Sequence, residues 1–259
     1  MYIDVGGERF ETLDDHGLHG PGDSWSHRSM PWDFLLIFFA LAVIVPWRGW
    51  ARLKRLLALP SITSRDRVLL YLTSILTQWL VTAVIAWRAF ARGFGPSALG
   101  LVWQPLPRLL VVGIVGAGGI GLAHWFNVRR VSRSVGPAVD RVKNMAAKIF
   151  PHNNQEAAVF CLLAVTAGIC EEFLYRGFVF GALSRLFVPS WAVLIVSSVL
   201  FGLAHAYQGR GGMVGTLLLG TVFGSVRILY DSLVPVVFWH AAVDIVAGFA
   251  GKLYLIDNK

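Results

Sequence analysis

Charge is what this sequence has least of. Only 15% of its 259 residues are Asp, Glu, Lys or Arg, whereas 56% are hydrophobic and the mean hydropathy is +0.62. A soluble domain carries about a quarter charged residues, so this chain lacks the polar residues needed to cover a water-facing surface. Cysteine is also scarce. Cys161 and Cys170 lie nine positions apart in one helical stretch, a rise of roughly 13 Å that is too long for a disulfide. They define neither a disulfide scaffold nor a redox compartment. The apolar stretches lack the two-residue alternation of a membrane β-barrel. Runs of about 15 to 28 apolar residues therefore read as helices, which satisfy their own backbone in lipid. The signatures HExxH, GxSG and GxGD are missing as well, and with them three kinds of membrane peptidase. The net charge of +8 comes from Lys and Arg in the gaps between apolar spans. That pattern suits anionic headgroups and cytoplasmic loops and implies no nucleic-acid partner.

What is present is a series of apolar spans at 33–48, 68–90, 109–126, 157–184, 191–206, 213–230 and 234–250. The expected fold is an all-α, polytopic transmembrane helical bundle of about seven spans, within a range of six to eight, enclosing an internal polar cavity. Trp32, Trp47, Trp50, Trp87, Trp125 and Trp191 sit at span edges, where indoles favour the interface. Lys and Arg concentrate in alternate connections, above all 48–67 and 127–156. This predicts a multi-pass cell-membrane protein with its N-terminus outside and its C-terminus in the cytoplasm. Residues 1–32 are polar and acid-rich and read as a flexible tail rather than a signal peptide. Residues 33–136 form the N-terminal helices and basic loops, and 151–259 a candidate catalytic core. Between them, 137–150 places Val139, Val142, Met145 or Ala146, and Ile149 at helical spacing with Arg141, Lys143 and Lys148 between. That segment is either an amphipathic helix in the inner headgroup layer or a loop helix packed on the bundle. Gly177 with Gly181, and Gly220 with Gly224, have the spacing that lets helices approach closely in lipid.

An ionisable residue inside an apolar span costs roughly 2.5 kcal/mol or more. The last four spans hold Glu171, Glu172, Arg176, His205, Arg227, His240 and Asp244. Arg227 lies near a span end, where it can snorkel. Glu172 and Arg176 are four apart with the acid first, the favourable order for a helical ion pair. Glu171 points about 100° away and has no such cation. It is free to serve as a general base or a metal ligand. His205 ends an apolar helix that carries no other charge. His240 and Asp244 share one helical face, so Asp244 can orient the imidazole or bind beside it. Depth is the difficulty. Counted from the inner span edges, Glu171 lies about 21 Å deep and His205 about 9 Å, too different for contact between straight helices. A kink, a tilt or a break after Arg176 at Gly177 is needed to bring them together.

In this order and setting, EExxxR (Glu171 to Arg176), FxxxH (Phe201 to His205) and HxxxD (His240 to Asp244) resemble the three motifs of the CPBP family. These are the CAAX-processing and bacteriocin-processing intramembrane endopeptidases, also called the Abi family. The resemblance covers about 157–250. It implies that Glu171 activates water, that Glu172 and Arg176 hold the site together, and that His205 shares the water. His240 and Asp244 would stabilise the oxyanion or help bind a metal. The substrate would be a membrane-anchored peptide or a prenylated protein at the lipid bilayer. One departure bears on mechanism, because the third motif often ends in Asn, and an ionised Asp244 repels an oxyanion that an amide would bind. Either Asp244 is protonated, or it orients His240, or a divalent metal is held by some of Glu171, His205, His240 and Asp244. Two imidazoles with carboxylates suit zinc, so the cofactor expectation is either none or such a metal. Two other classes compete. A transporter buries the same residue types but favours inverted repeats and paired broken helices, and neither is visible; a non-catalytic scaffold or bacteriocin-immunity protein keeps the fold without turnover.

Overall fold

The computed structural model describes residues 30–257, and among these the secondary structure is helical throughout, with no strand. Joined where they run on without a break, the helices are α1 (Trp32–Ala58), α2 (Ser64–Ala91), α3 (Leu106–Ser132), α4 (Pro137–Ile149), α5 (Asn154–Ser184), α6 (Ser190–Ala204), α7 (Arg210–Tyr230) and α8 (Val234–Ile256). Six of them, all but α4 and α6, are long and apolar enough to cross a membrane; α6 is apolar but shorter. The chain is a multi-pass membrane protein. Its outer surface agrees, because Leu76, Val115 and Leu229 are 71%, 69% and 76% exposed, an arrangement that only lipid makes favourable. Most of the expected acidic tail, residues 1–29, lies outside the described residues.

The helices overrun the apolar spans at several ends. α1 continues to Ala58 through Arg48, Arg52, Lys54 and Arg55, well past the expected limit at 48. Apolarity marks depth in the bilayer, whereas Arg, Lys and Leu are all good helix formers, so the helix runs on into the headgroup layer.

α5 lies between α2 and α8, α8 packs in turn on α3, and α6 pairs with α7. Small residues make the close approaches. A Cβ on Gly168 would stand 3.0 Å from the Val237 carbonyl oxygen of α8, and one on Gly177 2.9 Å from that of Leu99. Ala146 on α4 is buried, and the Lys148 ammonium donates to the carbonyl oxygens of Leu56 (3.2 Å), Leu57 (3.0 Å) and Leu59 (2.5 Å) at the end of α1. These are the carbonyls a helix leaves unpaired, so α4 is tied to the bundle end. Arg227 is 6% exposed and pairs at 2.5 Å with the exposed Asp231, one turn along at the end of α7.

The start of α5 is held by a saturated carboxylate. Glu156 is fully buried and accepts from Arg67 Nε at 2.7 Å and Nη2 at 3.2 Å, from the His152 backbone N–H at 2.7 Å and from Asn153 Nδ2 at 2.8 Å. Asn153 returns the contact by capping the helix through the Glu156 N–H at 3.0 Å. Removing one partner of a buried ion pair leaves the other charge uncompensated. Arg67→Met is therefore expected to cost about 3 kcal/mol, read as lowered thermal stability in detergent; wild-type stability would show that the pair does not clamp α2 to α5.

Candidate active site

α5 enters the site as an ordinary helix and changes winding there. From Phe173 to Phe178 it adopts the wider π-helical form, a local expansion often found at functional sites. Of the kink, tilt or break that the depths required, a break at Gly177 is absent: the helix is continuous. Glu172 and Arg176 are both fully buried, with Arg176 Nη1 donating to Glu172 Oε1 at 3.0 Å. Arg176 Nη2 donates to the Gly220 carbonyl of α7 at 3.0 Å. Gly220 makes room for it, because a Cβ there would meet Nη2 at 3.0 Å. The guanidinium also lies 4.2 Å from the centroid of the Phe201 ring and 5.6 Å from that of Phe223, so aromatic carbon packs on it, while its Nε is buried without a hydrogen-bond partner among the described residues.

The depth mismatch between Glu171 and His205 disappears for a simple reason. α6 has 15 residues, about 22 Å, against roughly 30 Å of hydrocarbon, so it stops inside the membrane. His205 caps its buried end, and both residues must be counted from the edge where α5 ends and α6 begins. Glu171 is then about 20 Å from that edge and His205 about 22 Å. Across about 30 Å of hydrocarbon that leaves both roughly 8 to 10 Å from the inner edge, so the figure that changes is that of Glu171: α5, at 31 residues, is much longer than a crossing and begins beyond that edge.

His205 Nδ1 hydrogen-bonds the Phe201 carbonyl oxygen at 2.9 Å. A carbonyl only accepts, so Nδ1 carries the proton and Nε2 is turned toward Glu171 Oε2, 3.9 Å away. His240 Nε2 lies 4.0 Å from the same oxygen. Its Nδ1 is 2.6 Å from Glu172 Oε1, and it is this carboxylate, not Asp244, that orients the ring. Asp244 Oδ2 sits at 3.7 Å from His240 Nε2, beyond hydrogen-bond length. Asp244 lies in the same helix one turn away, but Glu172 reaches the imidazole from across the bundle. Phe201 sits at the centre, its centroid 4.8 Å from that of His205 and 5.7 Å from that of His240.

Exposure grades across this group. Glu172 and Arg176 form a sealed floor, His240 is 6% exposed at its side chain, His205 16%, Glu171 20% and Asp244 37%. A further contact comes from a helix in which no ionisable residue pointed to the site: Gln78 of α2 donates Nε2–H to Glu171 Oε1 at 3.3 Å. Its sequence signal is an amide in the middle of the 68–90 span, which a search confined to ionisable residues passes over. Among the described residues, no group of three or more His, Cys, Asp or Glu side chains is arranged to hold a metal ion.

The fold and this cluster define a multi-pass helical membrane protein whose acidic and imidazole side chains gather inside the bundle. Residues 153–246 match the family model described as Rce1-like, type II CAAX prenyl endopeptidase Rce1-like. The matched stretch, about a third of the chain, contains all three motifs and is similar to the CAAX-processing endopeptidases. No curated protein and no solved structure matches the chain.

Proposed function

We propose that the protein is an intramembrane endopeptidase that hydrolyses a peptide bond in a membrane-associated or prenylated, CAAX-type substrate, with Glu171 as the base that activates water. The observation that supports this most is the separation of Glu171 Oε2 from His205 Nε2, 3.9 Å. That is too long for a direct hydrogen bond and suits one water shared by the two acceptors. In the reaction, Glu171 takes a proton from the water as its oxygen bonds to the scissile carbonyl carbon. His205, whose Nδ1–H is committed to the Phe201 carbonyl, accepts the water's second hydrogen bond. As an imidazolium, His240 donates Nδ1–H to Glu172 and aims Nε2–H at the developing oxyanion. Glu171 then returns its proton to the departing amine as the C–N bond breaks.

Asp244 needs no special protonation in this scheme. At the rim, 3.7 Å from His240 Nε2, it balances the imidazolium charge, while Glu172 holds the ring. The basic connections favour a cytoplasmic side for the α1–α2 and α3–α5 loops and the C-terminus, the side on which prenylated substrates would anchor. The test uses the purified full-length protein in lipid nanodiscs with a prenylated CAAX-type peptide. The expected result is a single internal cleavage, found by mass spectrometry, that is much slower on the same peptide without its prenyl group. Absence of cleavage on both peptides and on a peptide anchored by a transmembrane helix would overturn the reading in favour of a non-catalytic scaffold.

A further inference from the structure

We propose that Gln78, on α2 and outside the matched residues, is a positioning residue for the water-activating carboxylate. The inference rests on the endopeptidase reading and adds a fourth helix to the site. Gln78 Nε2 donates to Glu171 Oε1 at 3.3 Å, while the other carboxylate oxygen, Oε2, faces His205 and His240. Holding Oε1 fixes the rotation of the carboxylate about its terminal torsion, which is otherwise broad and nearly two-fold. With Oε1 held, Oε2 alone is presented to the histidines and to the shared water.

The other end of the same amide makes a structural role and a positioning role separable by experiment. Gln78 Oε1 is buried and has no hydrogen-bond partner among the described residues. A buried unpaired acceptor is destabilising, so this end of the side chain adds nothing to stability. Gln78 has one satisfied end, and that end is on Glu171. Leu or Met at 78 would fill similar space and remove the orphaned oxygen. Stability and activity should therefore respond to such a change in opposite directions, which a residue with a purely structural role cannot produce.

The experiment compares Gln78→Leu and Gln78→Met with wild type in nanodiscs on the prenylated peptide, together with Thr82→Val. Thr82 lies one turn further along α2, is 7% exposed, and its buried hydroxyl lies beside the Cys170 thiol and not beside Glu171. The Gln78 variants should lower kcat at least about tenfold, the usual scale for losing the group that orients a functional side chain, with KM little changed and Tm at or above wild type. Thr82→Val should raise or preserve Tm and leave kcat unchanged. Adding Gln78→Leu to Glu171→Gln should cause no further loss, because the residue acts only through Glu171. Wild-type kcat in both Gln78 variants would overturn the inference, as would a loss of kcat accompanied by lowered Tm in both. If wild type cleaves, Glu171→Gln does not, and Gln78→Leu cleaves normally, this inference alone fails. A Glu171→Gln enzyme that cleaves at the wild-type rate refutes the endopeptidase mechanism itself.

Discussion

Glu171→Gln is expected to lower turnover at least ~100-fold, the usual scale for losing a general base, while the protein remains folded and still binds substrate. The amide keeps the size of the side chain but removes the basic lone pair that takes the proton from water. Fold should survive because Glu171 carries little of the structure: among the described residues its side chain hydrogen-bonds Gln78 alone, and both histidine nitrogens lie 3.9 Å or more from Oε2. The measurement is kcat on the prenylated peptide, paired with Tm and substrate affinity for each preparation. Cleavage at the wild-type rate would remove Glu171 from the mechanism and make the scaffold reading the better one.

Its neighbour should behave in the opposite way. Glu172→Gln leaves Arg176, fully buried in the bundle, without a counter-charge, and breaking a buried pair in this manner costs about 3 kcal/mol or more. The structure adds a second loss, since Glu172 Oε1 also takes the His240 Nδ1 contact at 2.6 Å. One neutral amide oxygen cannot match a carboxylate toward both donors. Thermal or denaturant unfolding in detergent should show Glu172→Gln clearly less stable than either wild type or Glu171→Gln. Equal stability of the two glutamine variants would contradict the division of labour between these adjacent acids.

The two carboxylates were distinguishable in the sequence because the distinction is local. Glu172 and Arg176 are four apart on a helix, and such a pair meets whatever the rest of the fold does. The partner of His240 was not distinguishable in that way. Asp244 is also four away and on the same face, yet the ring turns to Glu172 on α5, because helix packing brings a second acceptor nearer to Nδ1. Sequence spacing reports neighbours within one helix and is silent about neighbours across two. The same silence hid Gln78. An uncharged amide is much cheaper to bury than a charge, so it does not stand out in an apolar span as Glu171 does.

By itself the sequence determined that this chain lives in a bilayer, that its membrane segments are helices, and which ionisable residues had to face inward. Each follows from transfer energetics, which depend on composition over a span and not on how the spans meet. Only the tertiary structure decided that α5 is 31 residues long and so overruns a crossing, setting Glu171 level with His205, and that it widens at Phe173–Phe178 without breaking. It alone placed Phe201 between Arg176 and the two histidines, and Gln78 against the carboxylate. Where a helix stops and which side chain it meets depend on packing against other helices, and in lipid that packing is governed by close van der Waals fit and interhelical hydrogen bonds, which leave no periodic trace in the chain.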